Sequence, residues 1–153
     1  IEAVLIPYET DAPKDEVRVY VEKFLREGKT VYFKMRKDLP EKRQLQEYGF
    51  VPEKLGSKFV ALFDESQIVS KVDMVAGVYS TYLYDMLYLG VPVVVLNTSM
   101  DYGEGMIVGG LAISYSVESS DQEVLGKYAT VKTRVQELYS IISYIDSHIK
   151  NFA

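Results

Sequence analysis

The residues best placed to do chemistry in this chain are Ser80 and Thr81, which lie between an apolar segment and an amphipathic one. Their hydroxyls and N–H groups come at the start of a predicted helix, where the helix dipole is positive and anions bind. Gly77, just upstream, allows a tight turn where a ligand approaches. The alternative is that Ser80 only caps its own helix, and physical chemistry leaves both interpretations equally open.

Asp85 is the next informative residue, one helical turn beyond this polar pair. It lies among tyrosine, leucine and methionine side chains, where a carboxylate needs a partner or water. It could accept hydrogen bonds from the paired hydroxyls of a sugar. The alternative, that Asp85 only complements the helix dipole, is the better explanation for the residue taken alone.

Positive charge is clustered at the end of the second predicted strand, in Lys34, Arg36 and Lys37. Lys34 and Arg36 alternate onto one side of that strand, whereas Lys37 points elsewhere. The first two could hold a phosphate, with Arg36 binding it through two parallel hydrogen bonds. A solvated strand end is the more common case. Asp101 and Glu104, in a later glycine-rich loop, carry only a weak signal for a polar ligand.

The usual catalytic signatures are missing from the sequence. It has no glycine-rich dinucleotide fingerprint, P-loop, nucleophile elbow or zinc-protease helix motif. With His148 as the single histidine and no cysteine, it cannot assemble a histidine triad or a histidine-based metal site. We interpret His148 as a solvated residue near a helix end, and we expect neither a metal nor a cofactor.

The elements that must position these residues form a strand–helix–strand unit. Residues 72–78 predict a strand, residues 82–89 a helix that ends at Gly90, and residues 92–96 a second strand. Further strands are predicted at residues 3–7, 30–35, 58–63 and 111–115, with a short one at 50–51. Helices are predicted after Pro13 and Pro40, ending at Gly28 and Gly49, and over residues 64–70, 119–126 and 129–151.

Strands alternate with helices, and the best strands are continuous apolar runs, which is typical of a parallel sheet covered on both faces. We therefore predict a Rossmann-like three-layer α/β sandwich with a parallel sheet of about six strands, in a single domain over residues 1–153. Ligands bind such sheets beyond the carboxyl ends of the strands. This rule places any site among residues 8–11, 34–38, 77–81 and 97–105.

Composition narrows the functional classes. A length of 153 residues suits one domain, and a net charge of −5 offers no basic field for nucleic acid. The sequence contains no run of 18 apolar residues, so we expect no transmembrane segment. The lack of cysteine fits a reducing compartment, and we expect a cytoplasmic location. Because the chain starts at Ile1 and enters a strand almost at once, we expect a domain excised from a larger two-domain protein.

One segment carries a family resemblance: Tyr79-Ser80-Thr81-x-x-x-Asp85-x-x-x-Leu89-Gly90-x-Pro92, followed by Val-Val-Val-Leu. It resembles the Y-S-S-x-x-x-D-x-x-x-L-G-x-P run of the CDP-glycerol glycerophosphotransferases, which build teichoic acids. More loosely, it is similar to surface-polysaccharide glycosyltransferases and to UDP-N-acetylglucosamine 2-epimerases. The resemblance is close over residues 75–96 and extends by element order over most of the chain. It implies one half of a GT-B fold, the C-terminal half that binds a nucleotide-linked donor.

The resemblance also implies roles for matching residues. Ser80 and Thr81 correspond to the pair that holds the donor diphosphate, and Asp85 to the acid that binds the ribose. Lys34-x-Arg36 stands where many relatives carry a basic or His-Pro motif, and Gly77 stands where retaining relatives carry a glutamate. The acid-rich loop of the epimerases is not reproduced in residues 97–105. The substrate-binding set is thus Lys34, Arg36, Gly77, Tyr79, Ser80, Thr81 and Asp85, with no catalytic residue assigned.

The sequence therefore predicts the donor-binding domain of a GT-B-type transferase that moves a glycosyl or glycerophosphate group from a nucleotide-diphosphate donor to a surface glycan or polymer. An absent N-terminal domain would supply the general base and pack against the apolar stripe of the last helix, so the isolated chain is expected to bind but not to turn over. Peripheral membrane association of the full-length protein is left open. Carboxylates clustered in residues 97–105 would instead favour an epimerase-like half. An occluded Ser80 with a salt-bridged Asp85 would favour a non-catalytic flavodoxin-like module.

Overall fold

A computed structural model describes residues 1–150 and shows a single sheet of six strands. The strands are β1 (Ala3–Pro7), β2 (Thr30–Lys34), β3 (Phe59–Leu62), β4 (Met74–Gly77), β5 (Val93–Leu96) and β6 (Ile113–Tyr115). Every neighbouring pair is parallel, in the order β3-β2-β1-β4-β5-β6. The predicted six-stranded parallel Rossmann-like sheet is confirmed.

Helices cover both faces of this sheet. They are α1 (Lys14–Arg26), α2 (Glu41–Tyr48), α3 (Pro52–Leu55), α4 (Thr81–Tyr88), α5 (Glu104–Val108) and α6 (Asp121–Lys150), with a short 3₁₀ helix at Val69–Lys71. One apolar cluster joins the sheet to α1, α2 and the first three turns of α6. A second cluster, on the other face, joins it to α4, α5 and the middle of α6. The result is a three-layer sandwich.

The central strand β1 shows why the strands are continuous apolar runs. Val4 and Ile6 belong to one cluster, whereas Leu5 between them belongs to the other. Successive side chains of a strand point to opposite faces, so a strand covered on both sides must be apolar at every position.

Several predicted boundaries were wrong. Residues 50–51 form no strand and instead lead into α3, because Pro52 suits the first turn of a helix. The helix predicted over residues 64–70 is reduced to the 3₁₀ helix. The loop over residues 97–105 contains the start of α5. There the missing side chain of Gly103 allows close packing, since a Cβ would lie 2.5 Å from the Val78 carbonyl oxygen.

Helix α6 replaces the two helices predicted over residues 119–126 and 129–151. Gly126 costs about 1 kcal/mol inside a helix, but Val124 and Tyr128 on either side of it pack on the same cluster. That shared packing keeps the backbone helical through the glycine. The predicted last residue of the helix, Asn151, lies outside the described residues. Among the helices of residues 1–150, none is long and apolar enough to cross a bilayer.

Candidate functional site

The candidate site lies where β1 and β4, neighbours in the sheet but not in the chain, both end. The chain after β1 leads to β2 on one side of the sheet, whereas the chain after β4 leads to β5 on the other side. This divergence opens a crevice at the carboxyl edge of the sheet. A cavity of about 340 Å³ lies there. Its walls come from the ends of β1 and β2 and the start of α4: Pro7, Tyr8, Glu9, Thr10, Lys34, Arg36, Ser80, Thr81 and Tyr82. The structure thus brings Ser80, Thr81, Lys34 and Arg36 together around one space.

Three buried polar atoms at this cavity have no hydrogen-bond partner within residues 1–150. They are Glu9 Oε2, Ser80 Oγ and the Tyr82 hydroxyl, and all three belong to residues that line the cavity. Nearly all buried polar groups in folded proteins find a partner, because an unpaired one costs about 1–3 kcal/mol. Their concentration at one cavity marks it as a place where a ligand could complete the hydrogen bonding.

Ser80 stands at the position before the first turn of α4, as the sequence predicts. The alternative, that Ser80 caps its own helix through its backbone, agrees with the structure, because the Leu83 N–H donates to the Ser80 carbonyl at 3.2 Å. In the described part of the chain no side chain caps α4. Thr81 is the first residue of α4 and is exposed. A helix start without a side-chain cap leaves N–H groups free for an anion.

Glu9 is the member of the site that the sequence did not single out. It follows β1, and its side chain is only 3% exposed. The Val78 N–H donates to Glu9 Oε1 at 2.7 Å, and the Glu9 N–H donates to the Tyr48 hydroxyl oxygen at 2.9 Å. The sequence placed residues 8–11 at the edge of the site, but a lone acid after a strand carries no signal of burial.

Gly77 makes room for a neighbouring side chain. Its role in a tight turn where a ligand approaches stays a prediction, and the structure shows that the glycine also makes room for the Glu9 carboxyl group. A Cβ at Gly77 would lie 3.0 Å from each Glu9 carboxyl oxygen and 2.9 Å from Leu83 Cδ2. The glycine therefore allows an acid from β1 to reach the turn that follows β4.

Burial is the largest influence on the Glu9 carboxyl group, and it raises the pKa. The Val78 N–H, the nearby Ser80 hydroxyl, the Tyr79 N–H and the charge of Lys14 act in the opposite direction and are weaker. The Ser80 hydroxyl lies near enough to the Glu9 carboxyl group to lower this pKa, but neither Ser80 Oγ nor Glu9 Oε2 has a hydrogen bond of normal geometry within residues 1–150. Overall, the pKa of Glu9 is raised, so its carboxyl group keeps its proton to a higher pH than the same group in water.

Lys34 lies on the β2 side of the cavity with its charge only loosely paired. Its ammonium group donates to the Met35 carbonyl at 2.8 Å and lies 3.8 Å from the Glu65 carboxylate. It also lies 6.0 Å from the centre of the Tyr82 ring. A cation held this way can turn toward an anion in the cavity.

Arg36 is more strongly engaged. Its guanidinium donates to both Asp38 carboxylate oxygens, at 2.9 and 2.6 Å, and to the Thr10 hydroxyl at 3.0 Å. This fork holds the pKa of Asp38 below its usual range. The pair is solvent-exposed, so separating it costs little. Arg36 can reach a phosphate only by giving up Asp38.

Tyr79 and Asp85 lie outside the cavity lining. Tyr79 is about half exposed, and Asp85 is exposed on α4. Burial raises the pKa of Tyr82 and of Tyr139 on α6, and the charge of Asp85 acts in the same direction. Across the described range Asp85 forms no ion pair with another side chain. A ligand would have to extend from the start of α4 along the helix to meet it.

The chemistry available here is anion binding with one buried acid. Free N–H groups, two hydroxyls and Lys34 can hold a phosphate, and Glu9 can hold a proton. In the portion of the chain that the structure describes, no group of three or more His, Asp or Glu side chains is arranged to hold a metal ion.

Comparison with known proteins shows which solved structures have a similar fold. No protein-family model and no curated protein matches the chain. Among solved structures, the calicheamicin glycosyltransferase CalG4 is similar, with a TM-score of 0.55 and 15% identity, over 89% of this chain and 36% of that one. A UDP-GlcNAc 2-epimerase from Methanocaldococcus jannaschii gives a TM-score of 0.53 and 12% identity, over 94% and 45%. MnaA from S. aureus, solved with UDP, gives a TM-score of 0.53 and 12% identity, over 95% of this chain and 46% of that one.

These similarities show the fold alone: a Rossmann-like domain of the kind found in GT-B proteins. The chain spans less than half the length of each of these three structures.

Proposed function

We propose that this chain is the donor-binding domain of a GT-B-type transferase that moves a glycosyl or glycerophosphate group from a nucleotide-diphosphate donor to a glycan or polymer. The observation that carries the proposal is the cavity itself, where the start of α4, which has no side-chain cap, and three unpaired polar atoms lie beside Lys34. Preorganised donors of this kind stabilise the charge that develops on a departing phosphate.

The donor would lie with its diphosphate at Ser80 and Thr81 and its ribose toward Asp85. Asp85 is free of ion pairs with the described residues, which leaves its carboxylate able to accept hydrogen bonds from ribose hydroxyls. The closeness to CDP-glycerol transferases, the surface-polymer acceptor and the cytoplasmic location stay predictions.

A second domain is part of the proposal. A stripe of isoleucines near the end of α6 is exposed to solvent. The exposed fractions are 47% for Ile142, 48% for Ile145 and 63% for Ile149. An apolar face of this kind is typical of a surface that packs against another domain. Such a domain would supply the acceptor site and the general base.

The proposal is tested by titrating the chain with UDP, UDP-N-acetylglucosamine and CDP-glycerol in a calorimeter. We expect binding near millimolar strength, weakened about five- to tenfold by Ser80→Ala and by Asp85→Ala, since each removes one or two hydrogen bonds. Ser140→Ala, on the exposed face of α6, is the matched control and should bind like the parent chain. No binding by any of the three ligands at about 10 mM would reject the proposal.

One observation favours a second candidate, a non-catalytic flavodoxin-like module. The Ser80 hydroxyl is buried beside the Glu9 carboxyl group, as expected for an occluded site. The other predicted mark of this candidate, a salt-bridged Asp85, is not found among residues 1–150. The same titration separates the candidates, because a non-catalytic module with an occluded site would bind none of the three nucleotide diphosphates.

A further inference from the structure

The side chains of Glu9 and Ser80 are incompletely hydrogen-bonded within the described structure. The Glu9 carboxyl group lies near the Ser80 hydroxyl at the start of α4, and Glu9 Oε2 and Ser80 Oγ are both buried without a hydrogen bond of normal geometry in the described structure. Gly77 makes room for the carboxyl group there. A side chain more than nine-tenths buried and incompletely bonded at a helix start points to a role with a ligand.

The charge of Glu9 bears on how well a diphosphate would bind in this cavity. An ionised carboxylate would occupy the positive end of α4 itself and would repel a diphosphate across a poorly screened, partly dry cavity. A neutral carboxyl group removes that repulsion. It also supplies an O–H donor where an anion needs one.

We propose that Glu9 is the proton-carrying contact of the diphosphate site, and that binding of a nucleotide-linked donor takes up one proton onto its carboxyl group. This inference rests on the proposed function. In the complex, Glu9 Oε1 keeps the hydrogen bond from the Val78 N–H, and the protonated Oε2 donates to a diphosphate oxygen or to Ser80 Oγ. No covalent bond forms or breaks, and the proton comes from solvent.

The surroundings of Glu9 support this assignment. Its burial favours the neutral form, and Lys14 is the cation that most clearly opposes this. The Lys14 ammonium group is itself engaged by the Thr10 carbonyl at 2.7 Å. Four other groups at this end of the sheet are already bonded to one another or to backbone: Tyr8 with Glu47, Tyr48 with the Glu9 N–H, Arg36 with Asp38, and Lys34 with Met35. The remaining titratable groups are Tyr82, whose hydroxyl is unpaired in the described structure, and Glu65, which lies 3.8 Å from the Lys34 ammonium group.

The test measures proton uptake directly. Calorimetric titrations with UDP-glucose are run in two buffers of different ionisation enthalpy, from about pH 5.5 to about pH 8. The diphosphate of UDP-glucose is esterified at both ends, so its charge is constant over this range. We expect uptake that approaches one proton, with affinity falling by up to about tenfold per pH unit above the Glu9 pKa. Uptake of no proton at every pH would overturn the inference.

Glu9→Gln is the informative variant, because the amide keeps a hydrogen-bond donor and removes the titration. We expect it to bind UDP-glucose at least as tightly as the parent chain at about pH 8 and with an affinity that no longer depends on pH. Glu53→Gln, an exposed change of equal charge on α3, is the control and should retain the parent pH dependence. A pH dependence unchanged in Glu9→Gln would also overturn the inference.

Failure of this inference differs from failure of the proposed function. If the parent chain binds UDP-glucose without proton uptake, the donor site stands and the assignment of Glu9 is wrong. If the parent chain binds no nucleotide diphosphate at any pH, both are wrong. Circular dichroism of Glu9→Gln establishes that it folds, and the parent chain decides the question even if it does not.

Discussion

Two buried polar side chains, Gln44 and Glu9, lie at the same carboxyl edge of the sheet and differ in how they are bonded. Gln44 is fully buried, and its amide uses every group: Oε1 accepts from the Arg36 N–H at 2.7 Å, and Nε2 donates to the Arg36 and Leu39 carbonyls at 2.8 and 2.9 Å. Glu9 is almost as buried, but only one carboxyl oxygen has a partner.

The difference separates a residue that serves the fold from one that serves a site. Gln44 holds the loop after β2 in place, and each of its bonds replaces one that water would have made. Glu9 leaves an oxygen unsatisfied beside a hydroxyl that is also unsatisfied, which is costly unless a ligand or a proton completes it. The two residues should therefore respond to substitution in opposite directions.

The largest effect is expected at Gln44. Gln44→Leu should lower the free energy of unfolding by about 3 kcal/mol, because it leaves one N–H and two carbonyl groups of the loop without partners. Urea unfolding measures this loss. Gln46→Leu, on the exposed side of α2, is the control and should change stability by less than about 0.5 kcal/mol. A loss at Gln44 no larger than at Gln46 would contradict the structural role.

A smaller loss is expected at Gly77. Gly77→Ala should cost about 2 kcal/mol, because the new methyl group meets both Glu9 carboxyl oxygens and Leu83. The loss should shrink in the Glu9→Ala background, where the carboxyl group is gone, and a double-mutant cycle measures this coupling. Gly105→Ala, where a Cβ would meet nothing within 4 Å, is the matched control. Equal costs of Gly77→Ala in both backgrounds would show that Glu9 is not what the glycine accommodates.

The smallest effect, and the only gain, is expected from Glu9→Gln. Its raised folded-state pKa means that Glu9 stabilises the fold most at acid pH and loses that contribution as the pH rises through the folded pKa. At about pH 8 the variant should therefore be more stable than the parent by about 1 kcal/mol, and the gain should vanish at acid pH. Thermal unfolding across this range, with Glu53→Gln as control, measures it. A variant less stable than the parent at about pH 8 would contradict this prediction, because it would show that hydrogen bonds and nearby charges stabilise the buried Glu9 carboxylate.

Much of the fold could be predicted because its signals are local. Continuous apolar runs in β1, β4 and β5, together with Gly28 and Gly49 after α1 and α2, indicate a parallel α/β sheet whatever the rest of the chain does. Boundaries failed where long-range packing overrides local preference. Gly126 was expected to end a helix, but the core contacts of Val124 and Tyr128 carry α6 through it.

The candidate site was predictable in part. Ser80 and Thr81 were recognisable from a polar pair at a helix start, and Lys34 from a cation at a strand end, since parallel strands bring their carboxyl ends to one edge. Arg36 lies there too, but its pairing with Asp38 could not be foreseen. The same holds for the position of Asp85, because the orientation of a helix face depends on how the helix packs.

By itself, the sequence determined the class of fold, the order of its elements and the edge of the sheet where the candidate site lies, because these follow from hydrophobic periodicity and turn chemistry over short stretches. Tertiary structure decided which polar atoms are buried and which stay unpaired. The Glu9 carboxyl group meets the Val78 N–H across 69 residues of chain, and Gly77 matters because an acid from β1 fills the space beside it. Burial and hydrogen bonding are properties of such distant pairs, and no local pattern records them.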